Sequence, residues 1–530
     1  MGAQALGADV EAAGYGSFAT GKSTRAYGFG SHTEGNNTIT GEEGKVFVPT
    51  LLKPNPTSDA ERIGAYAHAE GNSTTARGEA SHAEGQNTLA TGYAAHAEGT
   101  ADATVGDIVE ASGDAAHAEG YGGLASGNYS HKEGYKSTAS GGSSHSEGSE
   151  TTASGVAAHA EGNTTVASGG GAHAEGANTI ASGVNSHAEG WNTTASKDAA
   201  HAEGRYTVAS GFESHAEGYG TVAGTDGEVQ ANSNTTAGGR FGHAEGHATK
   251  ASGHAAHAEG LITVASGNYA HAEGGYTNAS QEYAHAEGDN TTADGYASHS
   301  EGGWTQSHGA YSHAEGNNTT ASGLASHAEG DRTAAEGEAS HAEGLETVAS
   351  GDGAHAEGYQ TTAASTKSHA EGYLTNASNQ AAHAEGHETT AKGFASHSEG
   401  SGSTANGQNA HAEGKSTKAI GDGSHAEGAN TEARGKRSHS EGAYTIAASD
   451  YQHVQGKFNE IDEAGTYAHI VGWGTANSAR KNIHTLDTEG NAWFNGNVKI
   501  GESQKSIATE DFVNTEINKI ATIYTGVEEP

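Results

Sequence analysis

Ser81-His82-Ala83-Glu84-Gly85-Gln86-Asn87-Thr88-Leu89-Ala90-Thr91-Gly92-Tyr93-Ala94 is followed at once by Ala95-His96-Ala97-Glu98-Gly99, the opening of the same phrase fourteen residues on. His-x-Glu-Gly occurs 27 times between His32 and His439. Most successive His residues are fourteen apart, as in His131, His145, His159, His173, His187, His201 and His215. A fixed period sets the architecture before any local propensity does. Units this short cannot each enclose a core, so they bury surface by stacking on their neighbours. The expected fold is an all-β solenoid with two short strands per fourteen-residue turn.

Comparing the copies with one another assigns faces. Side chains alternate along a strand, so His and Glu share one face and the residue between them takes the other. That middle residue is usually Ala, but Thr33, Lys132 and Ser146 also occur there. A Lys at this position suggests an outward or interfacial face. Six residues after the His, Thr recurs in 23 of the 27 copies, with Asp102, Gly123, Ser137 and Ser403 as the exceptions. Small residues such as Ala90, Ala139, Ala153 and Ala167 recur two positions later, and the residue between (Leu89, Val166, Lys250, Gln306, Glu432) varies freely and should face out. These patterns predict His and Glu facing Thr and Ala across a narrow lumen. Gly at plus three and commonly at plus ten would make the corners, where positive φ costs a Gly nothing. Turns stacked about 4.8 Å apart would give a rod on the order of 150 Å from about 30 turns.

Composition limits function. Among 530 residues the net charge is −40, which argues against nucleic-acid binding and against anionic membrane surfaces. There is no Cys, hence no disulfide framework and no thiolate zinc site. No apolar run approaches the roughly 18 residues of a membrane helix, and the first residues lack the basic and apolar regions of a signal peptide.

The chain divides into a repeat array over 1–456, a β segment and candidate trimer clamp over 457–501, and a short helix and tail over 502–530. Leu6 and Phe18 mark apolar early copies expected to cap one end. Interruptions fall at about 42–63, which holds Pro49, Pro54 and Pro56, at 101–109 and at 224–238. Repeat insertions usually emerge as loops. A hairpin is expected from Ile483 to Asp487 and Asn491 to Ile500. Thr509 would cap a helix running to about Ile523, with Phe512, Val513, Ile517 and Ile520 as its apolar stripe.

Two sets of residues are candidates for function. The first is the repeated pair, represented by His82 with Glu84, His96 with Glu98, His159 with Glu161 and His173 with Glu175. Buried polar groups need partners, so a structural hydrogen-bond ladder is the first expectation. No metal or other cofactor is required by that reading. The alternative is a divalent metal ion held by His/Glu pairs, since imidazole and carboxylate are both metal ligands. A residue repeated at every turn marks no single catalytic centre, so an enzyme is not expected. The second set is aromatic and lies in the turn after His-x-Glu-Gly: Tyr121, Tyr135, Trp191, Tyr219, Trp304, Tyr359 and Tyr373. Exposed rings there would suit sugar faces or protein partners. The Asn-x-Thr strings, such as Asn192-Thr193-Thr194, place a turn-former before a strand.

Ser-His-Ala-Glu-Gly with Thr-x-Ala-Ser-Gly resembles the head repeats of trimeric autotransporter adhesins of the YadA type, over about nine-tenths of the chain. In that family a Ser-Val-Ala-Ile-Gly pattern is usual. The His/Glu form is similar to repeats in bacteriophage and prophage tail-fibre proteins. His484-Thr485-Leu486-Asp487 and Gly490-Asn491-Ala492-Trp493-Phe494 also resemble segments near the C-termini of such phage proteins. The resemblance implies a left-handed parallel β-roll, a homotrimeric fibre, and a virion or cell-surface location. Such a fibre would present a multivalent surface to a host glycan or protein, with no nucleic acid bound and no membrane inserted. An autotransporter would also carry a signal peptide and a membrane barrel, so a phage tail fibre is the first expectation. A bacterial surface adhesin or extracellular filament subunit is the alternative.

Overall fold

The computed structural model describes residues 2–45, 62–220, 235–496, 498–500 and 505–507. Most of the first interruption, most of the third, and the helix expected from Thr509 to Ile523 lie outside the described residues. The chain forms two compact units, Met1–Asn290 and Thr291–Pro530.

In the first unit each turn contributes one strand to each of two parallel sheets. His82–Gln86 pairs with His96–Thr100, so that His82 lies beside His96 and Glu84 beside Glu98. Thr88–Ala90 pairs with Val109–Ala111 on the other side of the lumen. The backbone ladder continues through the corners, where Ala94 N–H donates to Glu79 O at 2.9 Å and Asn178 N–H to Asn163 O at 2.9 Å. That matters because an unpaired buried amide is costly.

The corners differ from the expectation in one respect. Gly85, at plus three, has φ of 106°, and a Cβ there would lie 2.0 Å from Gly99 O. At plus ten, Gly92 has no positive φ, and Lys197, Gln281 and Ser365 fill the equivalent position elsewhere. The left-handed backbone sits instead at plus five and plus twelve, as at Asn192 (φ 56°), Ile262 (φ 56°) and Ala94 (φ 52°). Asn tolerates this region and a β-branched Ile does so at a cost.

The lumen is also reversed from the expectation. Ser81, Ala83, Thr88 and Ala90 are buried, while the flanking His82 and Glu84 face outward. Strand alternation permits either assignment, and volume decides between them. Two sheets closed by fourteen-residue turns leave room for Ala, Ser and Thr at interior packing density, but not for imidazole and carboxylate. Lys132, read from sequence as marking the outward face, is fully buried. Its ammonium donates to Glu119 O at 2.7 Å and Gly134 O at 3.1 Å. Gly123 accommodates it: a Cβ at that position would lie 2.8 Å from the Lys132 side chain. This explains why Gly stands there in place of the recurrent Thr. Where Ser replaces the middle Ala, its hydroxyl pairs across the lumen, as in Ser146 with Thr151 at 2.8 Å.

The strands that flank the interruptions keep the register. His32 lies beside His68, His96 beside His117, and His215 beside His243. Between Ala101 and Val109, both buried, the chain makes a 3₁₀ turn at Ala103–Val105 capped by the Asp102 carboxylate. Leu6 and Phe18 occupy the outward Glu and His positions of their turns rather than a lumen cap, and Leu6 is 60% exposed.

The second unit repeats this architecture from Thr292–Ala293 onward. Parallel pairing crosses the expected boundary at residue 456, since His453–Lys457 pairs with both His439–Ser440 and Tyr467–Trp473. Val454 and Ile470 replace the small lumen residues there and pack with Ala447. Asn482–Asp487 then returns antiparallel and pairs with Ala492–Phe494. The second hairpin strand is thus shorter than expected, and Val498–Ile500 pairs instead with Lys505–Ile507.

Candidate functional site

Placing His and Glu outside the lumen makes a continuous column on the broader sheet of each unit. Rings on adjacent strands of a parallel sheet lie one strand spacing apart. Accordingly, His82 and His96 stack with centroids 4.7 Å apart and planes 8° from parallel. His159 and His173 stack at 4.8 Å and 2°, and in the second unit His411 and His425 stack at 4.7 Å and 0°.

The carboxylates flank this stack. Nε2 to Oε2 is 3.8 Å for His82 and Glu84, 3.3 Å for His96 and Glu98, 3.5 Å for His159 and Glu161, and 4.0 Å for His173 and Glu175. The His271 and Glu273 pair reaches 3.4 Å in hydrogen-bonding geometry. By contrast, Nε2 of His82, His96, His159 and His173 is shut off from water with no hydrogen-bond partner, although the rings as a whole are about a third exposed. The expected hydrogen-bond ladder is therefore replaced here by stacked rings with carboxylates just beyond hydrogen-bond reach. Some carboxylates address two turns: Glu427 places Oε2 3.9 Å from His425 and Oε1 3.5 Å from His439.

Burial pushes the imidazoles of His82, His96, His117, His159 and His383 below their ordinary value of 6.5. Repulsion between neighbouring rings acts in the same direction, and the nearby Glu carboxylates oppose it. Burial likewise lowers Lys132 to about 8. His82, Glu84 and His96 bring three potential metal ligands within 4.8 Å of one another, as do His96, Glu98 and His117.

The sequence-selected aromatics fall on one edge of the turn, at the two positions after the plus-three Gly. Tyr121 stacks on Tyr135 at 5.2 Å, and Tyr359 on Tyr373 at 4.9 Å. Trp191 lies 4.8 Å from Tyr206, with the Arg205 guanidinium 4.0 Å above the Trp191 ring and 5.3 Å from Tyr219. Trp304 is 60% exposed. The opposite corner carries aromatics that the sequence reading missed. Tyr269 stacks on Tyr283 at 5.1 Å, and Tyr296 meets Tyr311 at 5.4 Å. Their signal is an aromatic recurring two or three residues before the His, as in Tyr269-Ala270-His271, Tyr283-Ala284-His285 and Tyr296-Ala297-Ser298-His299.

Outside the column, a groove of about 320 Å³ lies beside the 101–109 insertion and is lined by Ser73, Arg77, Leu89, Asp107 and Ile108. Its Asp107 carboxylate is held by Lys136 at 2.9 Å. Among the described residues no helix is long and apolar enough to cross a membrane.

The family model described as YadA head domain repeat (2 copies) matches residues 83–101, 174–196, 202–223, 314–337, 342–364 and 384–410. The chain therefore carries YadA-type head repeats, and in both units they form a parallel β-solenoid. No curated protein matches the chain.

Proposed function

We propose that the protein is a non-enzymatic, homotrimeric fibre, most specifically a phage or prophage tail fibre, whose aromatic corners contact a glycan or protein on the host surface. The observation that carries this reading is the pairing of a lumen filled by small side chains with exposed rings spaced along both corners. YadA-type head repeats support a surface-exposed, adhesin-like role. Rings spaced by turns offer many weak contacts, and three chains multiply them. Trp191, Arg205 and Tyr219, backed by the buried Tyr206, combine apolar faces with a guanidinium, a surface suited to hydroxyl-bearing rings or acidic groups. A bacterial surface adhesin shares this chemistry and differs in the particle that carries it.

The test has two arms. Light scattering on the purified full chain is expected to give three copies per particle. Binding to host cells is expected to fall at least about tenfold when Trp191→Ala, Tyr219→Ala, Tyr359→Ala and Tyr373→Ala are combined. A stable monomer would overturn the trimer, and undiminished binding would remove the aromatic corners from the contact surface.

A further inference from the structure

The His/Glu column is outward, yet it keeps its identity at every turn from His32 to His439. The other outward position, at plus seven, holds Leu89, Lys250, Gln306 or Glu432 without preference. Lumen packing accounts for constant Ala and Thr but not for a constant outward pair. Insertions that interrupt the sequence leave the column aligned in register. A constant outward pair is accounted for either by a second copy of the chain or by a ligand that repeats with each turn.

The donor geometry identifies its chemical class. Two ligands about 2.0–2.2 Å from a tetrahedral metal ion lie about 3.3–3.5 Å from each other. Nε2 and Oε2 are 3.3 Å apart at His96/Glu98 and His383/Glu385, 3.4 Å at His257/Glu259 and 3.5 Å at His145/Glu147, and they are within a small side-chain adjustment of that span at wider turns such as His117/Glu119 (3.6 Å) and His173/Glu175 (4.0 Å). The same Nε2 atoms lack hydrogen-bond partners at His96, His145, His257 and His383. The geometry points to a linear array of divalent transition-metal sites, each formed by the imidazole and carboxylate of one turn. Zinc or nickel fits this nitrogen and oxygen pair.

The arrangement also restricts loading. Nearly parallel rings 4.7 Å apart cannot both aim their in-plane lone pairs at one ion without breaking the stack. Each turn therefore offers one nitrogen and one carboxylate, and these side chains must part enough to admit an ion with its remaining water ligands. A carboxylate between two turns, such as Glu427, can bridge neighbouring ions. Two dications one strand spacing apart repel strongly, so filling is expected to slow near one ion per two turns, about 13 per chain.

The experiment uses the full chain, stripped with chelator, dialysed and titrated with Zn²⁺ alone. Bound zinc is counted by elemental analysis and its ligands are read by X-ray absorption. We expect several ions per chain in a nitrogen/oxygen shell that includes imidazole. A column variant combines Glu315→Gln, Glu329→Gln, Glu343→Gln, Glu357→Gln, Glu371→Gln and Glu385→Gln, and should lose about a fifth of the bound zinc. A control removes six exposed carboxylates off the column: Glu150→Gln, Glu213→Gln, Asp289→Asn, Glu336→Gln, Glu338→Gln and Glu388→Gln. It should lose none. All these side chains lie outside the lumen, and circular dichroism reports whether each variant keeps the fold. Equal loss in the two variants would mean that zinc only neutralises a polyanion, and no uptake or no imidazole signal would overturn the array outright. Host-cell binding by the zinc-free chain separates this outcome from that of the aromatic corners.

Discussion

At the scale of single residues, the two Gly positions of the repeat look alike in sequence but face different demands. Gly330 has φ of 116°, and a Cβ would lie 2.0 Å from the carbonyl of Gly344. Gly337 has no positive φ; a Cβ there would lie 2.1 Å from Gly351 O, yet side chains occupy its equivalents at Lys197, Gln281 and Ser365. Gly330→Ala is expected to destabilise by about 1–3 kcal/mol and Gly337→Ala by distinctly less, as measured by denaturant unfolding. Equal losses would show that close approach rather than φ controls both sites. Lys132 provides a second test. Its folded pKa of about 8 lies below the unfolded 10.5, so its contribution is full above 10.5 and is lost as pH falls through 8. Lys132→Met should therefore raise the melting temperature at pH 7, with the advantage shrinking toward pH 10. This Lys also shows where sequence reading failed. A charged side chain at this position suggests an outward face, whereas its ammonium is satisfied inside by two carbonyls. The compensating Gly123 was visible in the sequence as an exception to Thr, but only the lumen geometry links the two.

At the scale of the element, the fourteen-residue turn is the unit of register. Deleting 327–340 removes one whole turn and should leave circular dichroism unchanged and the melting temperature within a few degrees. Deleting 327–333 joins positions meant for different sheets and should cost far more stability, because a register error exposes buried positions and buries exposed ones. The His column makes the turn sensitive to acid. The lowered imidazoles of His82, His96, His159 and His383 take up protons less readily folded than unfolded. Their contribution is full above about 6.5 and is lost as pH falls toward their folded pKa values. The melting temperature should thus drop between pH 7.5 and pH 5, and a flat profile would contradict the lowered values. The period, the two strands per turn and the plus-three corner were all legible from the spacing of His, Gly and Thr. The identity of the lumen was not, because alternation fixes which residues share a face without saying which face is inside. Only the volume between the sheets, filled by residues such as Ala83 and Thr88, decides that.

At the scale of the whole molecule, the net charge of −40 adds self-repulsion that salt should relieve. Light scattering from low to physiological salt should therefore show copies associating more readily as salt rises, and salt-independent mass would argue that apolar contacts hold them. The lumen has a thermal consequence too. It is lined almost entirely by Ala, Ser, Thr and Gly, so unfolding uncovers many peptide groups but little hydrocarbon. Hydration of apolar surface is the main source of the heat-capacity increase on unfolding, and polar surface subtracts from it. Scanning calorimetry should accordingly give a value well under the usual figure of about 12–15 cal/mol/K per residue. A small heat-capacity change flattens the curve of free energy against temperature. This chain would then hold nearly the same margin against unfolding in cold water as in warm, a benefit of building from methyl groups and hydroxyls rather than from oil.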